Sequence, residues 1–161
     1  MKNQYALVTG ASSGIGLEIA HSLAKRGYNL ILVARREEQL NKIATEIKND
    51  FSINVEVFSA DLANPLAPNA IYNFCNEKNL IVDILINNAG YALPNQFHKT
   101  PMQDEEDCLR VLGISVIALT KVFLPDMLEQ GSGKIMIVSS VASFAPPSTI
   151  QVLYGPVKTF M

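Results

Sequence analysis

Cysteine is scarce in this sequence, dense positive charge is missing, and no long uninterrupted apolar run is present. The two cysteines among 161 residues, Cys75 and Cys108, fit neither a CxxC pair nor a metal-ligand spacing. A disulfide framework and a metal site are therefore not expected, and two reduced thiols of a cytoplasmic protein are. Lys and Arg number 13 against 15 Asp and Glu, for a formal net charge of −2. With no basic block, nucleic acid is not an expected partner. No segment approaches the roughly 18–20 apolar residues of a bilayer span. The opening Met1-Lys2-Asn3-Gln4-Tyr5 carries no signal-peptide pattern, so no membrane partner is expected either. Internal repeats, low-complexity segments and linkers are lacking, which predicts one domain over residues 1–161.

What is present is globular in character: 48% apolar and 17% charged residues. Apolar strand-like runs alternate with helical patterns. Strands are predicted at Tyr5–Thr9, Leu30–Ala34, Val55–Ser59, Asp83–Ile86 and Lys134–Ser139. Helices are predicted at about Gly14–Arg26, Glu37–Asp50, Pro65–Lys78 and Gln103–Glu129. The second of these places Leu40, Ile43, Ala44 and Ile47 on one face. A loop follows from Gly90 to Pro101, and another runs through Pro146-Pro147 before a last helix opens near Leu153. Strands apolar on both faces, separated by amphipathic helices, predict a doubly wound α/β fold with a parallel, Rossmann-type sheet.

The first strand runs into Thr9-Gly10-Ala11-Ser12-Ser13-Gly14-Ile15-Gly16, at the mouth of a helix. Gly10 permits a tight exit from the strand, Gly14 a close approach of backbone to phosphate, and Gly16 close helix–sheet packing. The helix N-terminus presents free N–H groups and a positive dipole end to a pyrophosphate. Gly10, Ser12, Ser13, Gly14, Ile15 and Gly16 are the expected phosphate-binding residues.

The glycine spacing is G-x-x-x-G-x-G, which resembles the TGxxxGxG signature of the short-chain dehydrogenase/reductase family. Further family features follow in order along essentially the whole chain. The end of the second strand has Ala34 in place of an acidic residue, followed by Arg35 and Arg36. Loss of the carboxylate and gain of guanidinium groups favour a 2′-phosphate, and so NADP(H) over NAD(H). Arg35 is the expected contact, and Arg36 either a second one or a solvated residue opening a helix. Asp61-Leu62 resembles the family's adenine-binding position, with a turn-forming Asp as the alternative. Asn87-Asn88-Ala89-Gly90 is similar to the NNAG motif, and Asn88, Ala89 and Gly90 are expected to line the cofactor ribose.

The resemblance also implies a catalytic set. Tyr154 and Lys158 form Tyr-x-x-x-Lys, which shares one helical face. An ammonium one turn away favours a phenolate, and Tyr154 is implied as proton donor or acceptor with Lys158 as its ribose-binding partner. Ser140 is implied as the carbonyl-polarising hydroxyl. Ser115 stands where the family carries a water-anchoring Asn, so a relay water is expected to be held differently. The Ser140–Tyr154 spacing is one residue longer than the family's usual one. Pro156 is compatible with a helix only in its first turn.

These features imply hydride transfer between NADP(H) and a small-molecule carbonyl or alcohol. They also imply strand order 3-2-1-4-5. Because the chain ends three residues after Lys158, it is expected to be C-terminally truncated and to lack the family's last two strands. An exposed apolar edge along the fifth strand and self-association through it are then expected, in a family whose members are oligomeric. A non-catalytic nucleotide-binding fragment, or a subunit completed by another chain, remains the alternative.

Overall fold

The computed structural model describes residues 4–146, 150 and 152–161. Pro147, the second proline of the Pro146-Pro147 loop, lies outside them. Strands β1 (Gln4–Thr9), β2 (Asn29–Ala34), β3 (Val55–Ser59), β4 (Ile81–Asn87) and β5 (Lys134–Ile137) form one sheet. Its order is β3-β2-β1-β4-β5, with every pairing parallel. Helices α1 (Gly14–Lys25), α2 (Glu37–Phe51), α3 (Ala67–Glu77), α4 (Met102–Leu109), α5 (Ser115–Glu129) and α6 (Tyr154–Phe160) complete the chain.

Period-two alternation splits the central strands between two cores. Ala6 and Val8 face α1 and α2 with Leu30 and Leu32, where Leu40, Ile43 and Ile47 meet them. Leu7 and Leu85 face the other side with Ile31 and Val33, against Ile71 and Cys75 of α3 and Leu119, Phe123 and Met127 of α5. Leu7, Leu30, Ile31 and Leu32 are fully buried, each stabilising the fold by about 1.5–3 kcal/mol. This double burial is why the strands read as continuous apolar runs.

Several boundaries differ from the sequence reading. β4 begins at Ile81 and continues through Asn87, because Asn87 pairs with Ile137 in β5. α3 starts at Ala67 rather than Pro65, after a turn in which Asn64 Oδ1 accepts the Leu66 N–H. β5 stops at Ile137, although Val138 still donates to Asn87 O. The long helix is interrupted by a π turn at Arg110–Ile114 between α4 and α5. Among the described residues no strand lies outside β5, whose Met136 is 48% exposed.

The continuous helical segment Met102–Glu129 contains an 18-residue window of mean hydropathy 1.8, long and apolar enough by composition to cross a membrane. Charged residues such as Arg110 and Lys121 break the segment, so it holds no unbroken apolar run of that length. Its buried face, with Leu119, Phe123 and Met127, packs on the sheet.

Candidate active site

A cleft of about 530 Å³ opens at the C-terminal ends of the strands, where the connections leaving the paired strands β1 and β4 run toward opposite edges of the sheet. Such a switch point is where open α/β sheets bind ligands, and the volume falls within the roughly 300–1,000 Å³ of small-molecule sites. Its floor is the turn between β1 and α1. Gly10 and Gly14 have φ of +67° and +56°, and a Cβ on Gly14 would meet nothing within 4 Å. That open space leaves room for the close approach of a phosphate. Gly16 is tightly enclosed instead: its Cβ would lie 2.4 Å from both Asn88 Nδ2 and Gly10 O. The first turn of α1 has no acidic residue and no side-chain cap, so its N–H groups are left for an anion. Ile15, 64% exposed, stands at the rim.

Thr9 and Asn88 bind the two halves of the cleft together. Thr9 Oγ1 donates to Ile86 O (3.2 Å) and accepts from Asn88 N (3.0 Å) and Ala89 N (3.1 Å). Asn88 Nδ2 donates to Thr9 O at 2.9 Å. Asn88, Ala89 and Gly90 then line the cleft. Gly90 packs closely on the π turn: a Cβ there would lie 2.7 Å from Leu112 Cδ2, so the Leu112 side chain would have to shift.

The two arginines have different surroundings. Arg36 Nη2 donates to Ser12 Oγ (3.1 Å) and Ser13 Oγ (3.3 Å), placing its guanidinium on the glycine-rich turn. Arg35 lies 5.8 Å from the centroid of the Tyr91 ring across the cleft. Both line the cavity with Asp61 and Leu62. Asp61 Oδ1 accepts the Ala63 N–H at 3.0 Å, the turn-forming alternative, while Leu62 is buried.

At the other end of the cleft stand Tyr154 and Lys158. Pro156 falls in the first turn of α6, where its missing N–H costs nothing. Lys158 is 7% exposed; its Nζ donates to Val138 O at 2.8 Å and lies 5.9 Å from the Tyr154 ring centroid. Burial lowers the Lys158 pKa below the usual lysine value, opposed by Cys108 nearby. Ser140 caps the short 3-10 turn Val141–Ser143, its Oγ accepting the Ala142 N–H at 3.1 Å. That leaves the hydroxyl proton free to donate. The cavity wall itself carries the neighbouring Ser139.

Ser115 is 2% exposed and turned into its own helix, donating to Val111 O at 2.8 Å. The Ser115 N–H goes to Arg110 O, one residue further back than in an α-helix. The hydroxyl thus satisfies a carbonyl the π turn leaves without its usual donor. Tyr91, Val111, Val138 and Ser139 also line the cleft. The apolar pattern of the long helix concealed Val111. Only its position beside Ser140 marked Ser139. Among the described residues no cluster of His, Cys, Asp or Glu is suited to a metal.

A parallel sheet with a glycine-rich turn, an Asn-Ala-Gly segment and a Tyr–Lys face on one cleft has the architecture of a dinucleotide-binding α/β protein. The chain belongs to the short chain dehydrogenase family, whose model matches residues 4–161. A very-long-chain 3-oxoacyl-CoA reductase of Pyrenophora tritici-repentis is 34% identical over 99% of this chain and 48% of its own length. The chain thus spans about half the length of the curated relatives it matches. A short-chain dehydrogenase from Sphingobium yanoikuyae, solved with NADPH, superposes with a TM-score of 0.90 at 33% identity, covering 98% of this chain and 60% of that one. L-sorbose reductase from Gluconobacter frateurii, solved with NADPH and L-sorbose, gives a TM-score of 0.90 at 28% identity over 99% of this chain and 62% of that one.

Proposed function

We propose that this chain carries the nucleotide-binding cleft and catalytic face of an NADP(H)-dependent oxidoreductase acting on a carbonyl/alcohol pair. The observation that carries the reading is the single cleft lined by the glycine-rich turn, Arg36, Tyr154 and Lys158. Arg36, held over Ser12 and Ser13, is the residue for the 2′-phosphate, with Arg35 beside it. The α1 N-terminus takes the pyrophosphate, and Lys158 with the Asn88–Gly90 segment takes the nicotinamide ribose.

NADPH supplies a hydride for the carbonyl carbon. Ser140, with its acceptor side occupied by Ala142 N–H, donates its proton as a hydrogen bond to the carbonyl oxygen. Tyr154 transfers a proton to that oxygen, and Lys158 provides positive charge on the same helical face. Ser115 acts through the π turn rather than by contact. The oxidation of an alcohol runs these steps in reverse.

The substrate is an apolar carbonyl compound. Val141 and Phe144, beside Ser140, are 87% and 93% exposed, and the related oxoacyl-CoA reductases make a 3-oxoacyl thioester the first compound to test. Two buried free cysteines accord with a reducing, cytoplasmic setting.

The test is NADPH oxidation with 3-oxoacyl thioesters, ketones and aldehydes, in wild type and in Tyr154→Phe. Turnover lost in Tyr154→Phe with NADPH binding retained is the expected result. Binding without turnover on any of these compounds would replace the enzyme reading with a nucleotide-binding one.

A further inference from the structure

The segment that follows β5 holds α6 through more than the catalytic serine. Lys158 is fastened at both ends by consecutive residues. Its Nζ donates to Val138 O at 2.8 Å, and its main-chain oxygen accepts from Ser139 Oγ at 2.7 Å. Ser139 Oγ also lies 3.0 Å from Ser143 Oγ. Thr159 Oγ1 shares its proton between Ser143 O at 3.1 Å and Gly155 O at 3.0 Å. Gly155 completes the contact: a Cβ there would sit 3.0 Å from Ala142 O, so α6 and the 3-10 turn meet backbone to backbone. Gly155, Lys158 and Thr159 share one face of α6, and that face is the one turned to residues 138–143.

We propose that Ser139 is a positioning residue: its hydroxyl, bonded to the Lys158 carbonyl, sets the register of α6 against the end of β5. The inference rests on the oxidoreductase reading for its consequence in turnover, but not for its geometry. Ser139 lies between Val138, which holds the Lys158 side chain, and Ser140, whose hydroxyl is aimed by the turn. One hydroxyl therefore couples the Ser140 position to the Tyr154–Lys158 face. Because the anchor joins residue 139 directly to residue 158, the long loop between Ser140 and Tyr154 does not have to define their separation. The lengthened Ser–Tyr spacing is thereby accommodated.

The test uses the full chain with Ser139→Ala and Ser139→Thr, the second retaining a hydroxyl. Two readouts are taken. The first is the rate of amine acylation at Lys158, measured by peptide mass spectrometry with Lys25 and Lys78 as internal references. The expected result is a Lys158 rate raised about fivefold to tenfold in Ser139→Ala, the ratio one such hydrogen bond sustains. The reference lysines are expected to be unchanged and Ser139→Thr to resemble wild type. The second readout is a fall in kcat by a similar factor at nearly constant KM for NADPH, restored in Ser139→Thr. If Ser139→Ala does not fold, Ser139→Cys, which keeps the size and weakens the donor, carries the same expectation. Wild-type acylation of Lys158 in the hydroxyl-deleted variant overturns the proposal, as does equal acceleration at all three lysines. Absence of turnover in wild type would count against the oxidoreductase reading and leave the acylation result to decide the role of Ser139.

Discussion

Asn88 is bonded to Thr9 twice, through its main-chain N–H to Thr9 Oγ1 and through its side-chain amide to Thr9 O. The pair joins the end of β4 to the end of β1, and so joins the Asn88–Gly90 wall of the cleft to its glycine-rich turn. Removing the Thr9 hydroxyl leaves the Asn88 and Ala89 N–H groups without an acceptor. Thr9→Val is expected to lower stability by about 2–3 kcal/mol, since unpaired polar groups of this kind cost about 1–3 kcal/mol each. Urea unfolding checks this, and Thr9→Ser should recover most of the loss.

The glycines of the turn should separate by variant. Gly16→Ala forces a Cβ against Asn88 Nδ2 and Gly10 O and should destabilise the fold by about 1–3 kcal/mol. Gly14→Ala meets no neighbour, leaving only backbone strain of about 1–2 kcal/mol. It should fold yet bind NADPH poorly, because the new methyl group occupies the phosphate cradle. Thermal melts paired with nucleotide titration distinguish the two.

Arg36→Glu should weaken NADPH by roughly tenfold to a hundredfold, since hydrogen bonds to charged groups contribute about 1.5–3 kcal/mol. NADH affinity should change little. Arg35→Asp should weaken NADPH less and strengthen NADH, because a carboxylate at the end of β2 accepts bonds from a 2′-hydroxyl. Binding titrations with both nucleotides check each variant.

Burial pushes the Cys75 thiol up to about 12 from an ordinary 9.0. The folded state therefore keeps a proton that the unfolded state releases as pH rises above 9. Stability contributed by the neutral thiol is present below pH 9 and lost progressively up to about pH 12. Lys158, lowered by its own burial, acts in the opposite sense, so the informative quantity is the difference between wild type and Cys75→Ala. That difference should shrink as pH rises through this range in chemical denaturation; a constant difference contradicts it.

Much of this arrangement was legible in the sequence. Strand and helix order followed from apolar periodicity, and the glycine turn marked the cleft because it stands at the first strand–helix junction rather than in an ordinary loop. What escaped was what depends on three-dimensional contact. Arg35 and Arg36 are adjacent, and composition could not reveal that Arg36 turns back to Ser12 and Ser13 while Arg35 reaches toward Tyr91. Ser115 read as an anchor for water, but the π turn gives its hydroxyl a carbonyl of its own helix. Ser139 was overshadowed by Ser140 because its partner, the Lys158 carbonyl, is a main-chain atom with no sequence signature.

The most direct test of the central claim is an equilibrium titration of the chain with NADPH and with NADH, followed by cofactor fluorescence. The account predicts saturable binding of both, with NADPH tighter by at least about tenfold, the factor that one charge-assisted contact to a 2′-phosphate sustains. Equal affinity for the two nucleotides, or no saturable binding of NADPH, would contradict it.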